Sequence, residues 1–375
     1  MTARPGGSLP EHARLICDAL VRVESVRDLG QAQWDVLVRV ARRARLLGTL
    51  AWRIRDQANL WRSIPEPVRG HLTASIHFTA WRNQALKVLI AELRQTLPAS
   101  TEIVLLKGGG YLAQGLPFAR GRMPGDLDVL LPREALDPAS EILRANGWSS
   151  GKLSAYDLRY YREWSHELPP LRNERHVFEL DLHHAIAPVT SRVRPETALL
   201  LERSRALETG VQGGCGLRVL HPLDQIVHSA VHLFQDTELD ERLRDLVDLD
   251  GLIRYHVTSD AGWGALRERA RQLGAGALLE TACRYCTLWL ETPIPESMRH
   301  GLRSPWQVAA LDWIVTRTLL PALPQDSGRL DLRVAHTLAR VRYHRMRMPP
   351  PLLIRHVFGK GGGLLRAAVE RLLRR

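Results

Sequence analysis

The segment 103–131 places the strongest constraint on how this 375-residue chain folds. An apolar run at 103–106 is followed by Lys-Gly-Gly-Gly at 107–110 and, after a spacer, by a second apolar run that contains Asp126 and Asp128. Because side chains alternate across a strand, the two carboxylates would project from one face while the apolar residues around them pack inward. Neighbouring ionised carboxylates repel each other, and a divalent cation relieves that repulsion. The segment therefore predicts two strands and a metal site.

The glycines after the first strand indicate a site for phosphate. We predict a turn at Gly108 and Gly109 whose free backbone N–H groups hold phosphate oxygens. A helix is expected to start at 111–116, with its N-terminal dipole adding to anion binding. Lys107 and Arg122 would supply positive charge to a triphosphate. These features point to metal-assisted phosphoryl or nucleotidyl transfer.

A third carboxylate is expected from the segment 176–184, which alternates with a period of two. Its apolar residues would face inward, leaving Glu179, Asp181 and His183 on the opposite face. A two-metal site takes a further carboxylate from a neighbouring strand, and Asp181 is the first candidate, with Glu179 second. His183 would contact a phosphate or a carboxylate; the alternative is a structural histidine.

The order strand, glycine turn and Asp-x-Asp resembles the nucleotidyltransferase fold of the DNA polymerase beta superfamily. More closely, Leu106-Lys107-Gly108, Arg122 and the run 126–130 resemble a bacterial family known only as uncharacterised nucleotidyltransferases. The likeness extends roughly over residues 34–255. The resemblance implies that catalysis and metal binding belong to Asp126, Asp128 and Asp181. It implies that the nucleotide is bound by Lys107, Gly108, Gly109, Arg122 and His183.

We therefore expect the chain to move a nucleoside monophosphate from a nucleoside triphosphate to an acceptor hydroxyl or phosphate, with two Mg²⁺ ions as cofactors. Magnesium suits a site made of carboxylate oxygens. The acceptor would be a small molecule, a peptide or protein, or RNA. The alternatives are a nucleotide-binding protein without turnover and a helical interaction protein whose carboxylates hold a structural ion.

Helical periodicity dominates the rest of the chain, for example at Trp34, Leu37, Val38 and Ala41. We predict an α+β fold in which a small mixed sheet is flanked by helices, with helical regions at both ends. The aromatic segment 156–164 is expected to be a strand and loop near the site. The predicted units are a helical region at 1–100, the nucleotidyltransferase core at 101–190, a helical domain at 191–325 and a basic helical tail at 326–375.

The net charge of +12 is concentrated in the tail, where residues 329–375 contain twelve Lys or Arg and only two acidic residues. RNA, an anionic membrane surface or an acidic protein would suit such a segment, although a solvated basic face is the default interpretation. No apolar run is long enough for a transmembrane helix or a secretion signal. Four cysteines without a disulfide framework favour the cytoplasm, and Cys283 and Cys286 are expected to be buried thiols.

Three further polar residues are open to two interpretations. His228 and His232 stand one helical turn apart, but no glutamate follows as in zinc proteases, so a zinc site is not expected there. His232 and Asp248 also resemble positions of the family pattern. They would either line the nucleotide cleft or fix the helical unit against the sheet, and structural support is the preferred interpretation.

Overall fold

The computed structural model describes residues 9–207, 216–299, 301–326, 328–349 and 351–353. It has the predicted α+β fold, with a small mixed sheet covered by helices and helical regions before and after it. The part of the predicted basic tail from residue 354 onward lies outside the described residues. Within those residues, no helix is both long and apolar enough to cross a membrane.

Helices make up the region before the sheet: α1 (Glu11–Val21), α2 (Gln31–Arg43), α3 (Leu47–Arg55), α4 (Ala58–Ser63) and α5 (Glu66–Thr96). Trp34, Leu37, Val38 and Ala41 are all buried in α2, as their spacing predicts. The long helix α5 begins where Pro65 and Pro67 flank Glu66, because proline is tolerated in the first turn of a helix.

Five strands form one mixed sheet: β1 (Ile103–Leu105), β2 (Leu127–Leu130), β3 (Leu180–His183), β4 (Arg205–Ala206) and β5 (Leu217–Val219). Their order is β3-β2-β1-β5-β4. The pairs β2–β3 and β1–β5 are parallel, whereas β1–β2 and β4–β5 are antiparallel. The sheet thus takes its last two strands from the chain after residue 190.

Each face of the sheet contacts a different apolar core. Leu127, Val129 and Leu131 join a cluster that includes α5 residues such as Leu89. Leu130, on the opposite face of β2, joins a larger cluster made mostly by the N-terminal and C-terminal helices. Since side chains alternate along a strand, Asp128 shares the face of Leu130. The carboxylates therefore face the helical side of the molecule.

Two predictions of local structure are wrong. The glycine segment is not a turn before a helix at 111–116, because it already forms the first turn of α6 (Lys107–Ala113). The aromatic segment is not a strand and loop but the helix α8 (Ala155–Glu163), which follows α7 (Leu136–Ala145). Ser154 caps α8 by accepting a hydrogen bond from the Asp157 backbone N–H at 3.1 Å, which stabilises the start of a helix.

The remaining described helices all contribute residues to the larger cluster that contains Leu130: α9 (Thr197–Glu202), α10 (Pro222–Val231), α11 (Leu243–His256), α12 (Asp260–Gln272), α13 (Gly276–Leu290), α14 (Pro305–Thr318) and α15 (Leu330–Arg347). At its end α10 widens into a π-helical turn, His232–Asp236. Such turns are frequent at functional sites. This one brings Asp236 to the edge of the polar cluster described next.

Candidate active site

Asp128 and Asp181 lie opposite each other on the parallel strands β2 and β3. Asp128 is buried and Asp181 is half-buried. Asp126 stands one residue before β2 and is exposed. Asp128, Asp181 and His183 each have a potential ligand atom within 4.8 Å of the others. The structure thus brings two of the predicted carboxylates and the predicted histidine together, with Asp126 two residues from Asp128.

Asp128 is held by two positively polarised neighbours. Its Oδ1 accepts a hydrogen bond from Lys107 Nζ at 2.8 Å and lies 3.0 Å from His183 Nε2. Burial on its own would raise the pKa of Asp128, but Lys107 and His183 outweigh burial and hold that pKa well below its usual range. Asp128 is therefore a fixed negative charge, with one oxygen already occupied.

Asp181 lacks such compensation. Its buried Oδ1 has no hydrogen-bond partner among the described residues. Burial, followed by the charges of Asp128 and Glu167, raises the pKa of Asp181 to about 8. The pKa of Asp126 is also raised, chiefly by the neighbouring charge of Asp128. A cluster with excess negative charge and an unsatisfied buried oxygen has the chemistry of a cation site.

The glycines of α6 provide space for close packing. A Cβ atom on Gly108 would clash with the guanidinium group of Arg122, and one on Gly109 would come within 2.7 Å of Leu127 Cδ1. Lys107 has a φ of 41°, in the left-handed region that non-glycine residues rarely adopt. This conformation occurs where the chain passes from β1 directly into α6, at the residue whose ammonium group contacts Asp128.

Arg122 is fixed from the helical side. Its Nε lies 3.0 and 2.8 Å from the two carboxylate oxygens of Asp248 on α11, and both side chains are buried. Arg122 and Asp248 line a cavity of about 130 Å³ together with Lys107, Asp126 and Asp128. Asp181 and His183 do not line this cavity, so the predicted residues surround Asp128 without all sharing one pocket.

The cavity and its surroundings contain residues that the sequence did not reveal. Arg242, Arg244 and Asp245 line the cavity. Glu167 lies 3.4 Å from His183 Nδ1, and His166 lies 3.1 Å from Asp236 Oδ2. None of these residues belongs to a motif recognised in the sequence, although some pair locally, as Arg244 does with Asp245. Glu179, the second candidate for the third carboxylate, pairs with Arg172 at 2.5 Å.

Comparison with known proteins gives one family match. A family model described as an uncharacterised nucleotidyltransferase matches residues 30–291. Among solved structures, the crystal structure of JHP933 from Helicobacter pylori is similar with 15% sequence identity and a TM-score of 0.32. That match covers 70% of this chain and 94% of the other. No curated protein matches the chain.

Proposed function

The chain belongs to the uncharacterised nucleotidyltransferase family, and on that premise we propose that it transfers a nucleoside monophosphate from a nucleoside triphosphate to an acceptor hydroxyl or phosphate. The proposal includes a bacterial origin and a DNA polymerase beta-like catalytic core within residues 101–190. The observation that carries it is the register of β2 and β3, which sets Asp128 opposite Asp181 on the face that also holds Lys107 and His183.

A divalent cation fits the carboxylates because Asp181 Oδ1 is buried without a hydrogen-bond partner in the described part of the chain. Asp126, Asp128 and Asp181 would hold Mg²⁺, since their oxygens are the donors that this ion prefers. When bound, Mg²⁺ lowers the pKa of an acceptor hydroxyl and stabilises negative charge on a departing pyrophosphate. Two ions are proposed, as for other two-metal transfer sites.

Side chains and backbone groups of the protein would position the metal ligands and the triphosphate. Lys107 holds Asp128 ionised, and His183 fixes the orientation of the same carboxylate. The first-turn N–H groups of Gly108 and Gly109 are proposed to face triphosphate oxygens, because such groups have no partner within their helix. Arg122 lines the cavity but is paired with Asp248. We therefore assign it to positioning the site as well as to binding the nucleotide.

Two broader aspects belong to the proposal. The acceptor is a small molecule, a peptide or protein, or RNA, and the basic segment 326–375 would serve an RNA or an anionic surface. The cytoplasm is the proposed location, supported by two buried cysteines that are free thiols, Cys283 and Cys286.

The decisive experiment offers each α-labelled nucleoside triphosphate with Mg²⁺ and a cell extract, and follows the label into small molecules, protein and RNA. Asp126→Asn/Asp128→Asn should abolish transfer. Glu179→Gln is the matched control and should retain it, because Glu179 faces Arg172. Full activity of the double variant would contradict the proposal. Triphosphate binding without pyrophosphate release would instead identify a nucleotide-binding protein without turnover.

A further inference from the structure

A second group of metal-ligand side chains adjoins the carboxylates through His183. One nitrogen of this imidazole, Nε2, faces Asp128, and the other, Nδ1, lies 3.4 Å from Glu167 Oε2. His166, next to Glu167, completes the group: His166, Glu167 and His183 each offer a ligand atom within 4.8 Å of the others. The sequence gives no metal-binding motif at these positions.

The backbone holds this group in place. The segment 166–168 runs antiparallel to β3, where Glu167 and His183 form a bridge pair. The Leu168 N–H donates to the Leu182 carbonyl at 2.9 Å, and the His184 N–H donates to the His166 carbonyl at 2.8 Å. These bonds set the three side chains at one edge of the sheet on rigid backbone, which is a condition for a preorganised site.

Two buried nitrogens in the group are unsatisfied. His183 is 2% exposed and His166 is 5% exposed, and the Nδ1 atom of each makes no hydrogen bond within the described residues. We assign the proton of His183 to Nε2, where Asp128 accepts it, which leaves a lone pair on Nδ1 at 3.4 Å from Glu167 Oε2. Buried polar atoms normally have partners, so an unpaired lone pair beside a carboxylate indicates a missing cation.

We propose that His166, Glu167 and His183 bind a divalent transition-metal cation of the zinc class. In a tetrahedral zinc site, neighbouring ligand atoms are about 3.3 Å apart. Glu167 Oε2 is 3.4 Å from His183 Nδ1, and the unsatisfied Nδ1 of His166 is the nitrogen that would bind the cation. Asp236 Oδ2, 3.1 Å from His166 Nε2, fixes that ring, as outer carboxylates do in metal sites.

The donor set separates this cation from Mg²⁺. Imidazole nitrogen favours zinc and its neighbours in the first transition row, whereas Mg²⁺ prefers oxygen. Three protein ligands leave a fourth position open to water or to a ligand. The site does not depend on nucleotidyl transfer, although His183 would connect its cation to Asp128.

The test uses the full-length protein, stripped with a chelator and titrated with Co²⁺, whose visible absorption reports tetrahedral nitrogen and oxygen ligands. Asp126→Asn/Asp181→Asn, the carboxylate variant, leaves the Asp128 acceptor of His183 intact and should retain the absorption with one equivalent of Co²⁺. His166→Gln/Glu167→Gln should lose it and bind Zn²⁺ at least about 10-fold more weakly. His176→Gln is the control, because it removes an imidazole paired elsewhere, with Glu92.

The proposal is wrong if His166→Gln/Glu167→Gln keeps the Co²⁺ spectrum, or if the carboxylate variant loses it. Should the double variant not fold by circular dichroism, Glu167→Gln alone is measured, and unchanged Zn²⁺ affinity also overturns the proposal. A carboxylate variant that loses nucleotidyl transfer but keeps the spectrum shows that the two sites are independent.

Discussion

Arg122 and Asp248 form a buried ion pair between residues 126 positions apart in the chain. Arg122 lies in the loop before Asp126, and Asp248 lies on α11. The pair therefore ties the carboxylate side of the sheet to the C-terminal helices. Burial raises the pKa of Asp248, but the attraction of Arg122 opposes that effect.

Asp248→Asn should lower the free energy of unfolding by about 3–5 kcal/mol, because it leaves the Arg122 guanidinium buried without a counter-charge. Urea denaturation measures the loss. Asp56→Asn is the matched control, since Asp56 also meets an arginine, Arg120, but the pair is exposed. Asp56→Asn should lower the free energy of unfolding by no more than about 1 kcal/mol. Equal losses in the two variants would contradict the structural role of Asp248.

Gly108→Ala should destabilise the protein by about 1–3 kcal/mol, because the added methyl group meets a guanidinium that Asp248 holds in place. Gly70→Ala provides the comparison. Gly70 lies in α5, and a Cβ there meets nothing within 4 Å. Gly70→Ala should raise the free energy of unfolding by about 0.5–1 kcal/mol, because alanine has a higher helix propensity than glycine. If both glycines behave alike in thermal denaturation, close packing at Gly108 is refuted.

Asp181→Asn should stabilise the metal-free protein. The folded Asp181 has a pKa raised to about 8, whereas the unfolded carboxyl keeps its ordinary value near 3.8. Between these values the folded state holds a proton that the unfolded state releases, so wild-type stability falls as pH rises through this window. Asparagine does not titrate. The advantage of the variant should therefore grow from pH 4 to pH 8.

Urea denaturation with a chelator at several pH values measures this advantage, which should reach at least about 1 kcal/mol at pH 7. Glu179→Gln serves as the control, because it removes a nearby carboxylate that contacts Arg172 and not the cluster. An advantage that does not vary with pH would mean that Asp181 is already ionised in the folded protein.

The buried thiols should be unreactive in the native state. Burial raises the pKa of Cys283 to about 12 and that of Cys286 well above its ordinary value. Because the thiolate is the reactive form, labelling by Ellman's reagent should be at least about 100-fold slower than in denaturant. Cys215 lies outside the described residues and Cys17 would also report, so a Cys17→Ser/Cys215→Ser protein is used. Rapid labelling of the folded protein would show that Cys283 or Cys286 is accessible.

Local patterns predicted much of the fold. The 3.6-residue spacing of Trp34, Leu37, Val38 and Ala41 identified a helix, because burial of one helix face has that period. Alternation around Asp128 and Asp181 identified strands for the same kind of reason. The prediction of a turn at the glycine segment was wrong. Glycine has a low helix propensity, but close packing against Arg122 and Leu127 requires glycine in this helix.

The rest of the site depends on contacts between distant segments. Nothing near Arg122 in the sequence identifies Asp248 as its partner, and nothing near His166 identifies Asp236. Lys107, whose ammonium group contacts Asp128, has a left-handed backbone conformation at the junction of β1 and α6. Neither composition nor periodicity reveals this conformation. Tertiary packing determines these contacts. Residue patterns therefore identified candidate ligands but not the hydrogen-bond partners of those ligands.

The position of β1 in the sheet affects the choice of expression fragments of this protein. One side of β1 pairs with β2, but the other side pairs with β5 through Ile103 with Leu217, Val104 with Arg218 and Leu105 with Val219. A fragment that ended at residue 190 would keep β1, β2 and β3. It would expose the apolar edge of β1, which lies in the middle of the complete sheet. Edges of that kind recruit other chains and aggregate. Expression fragments therefore need to extend at least through Val219.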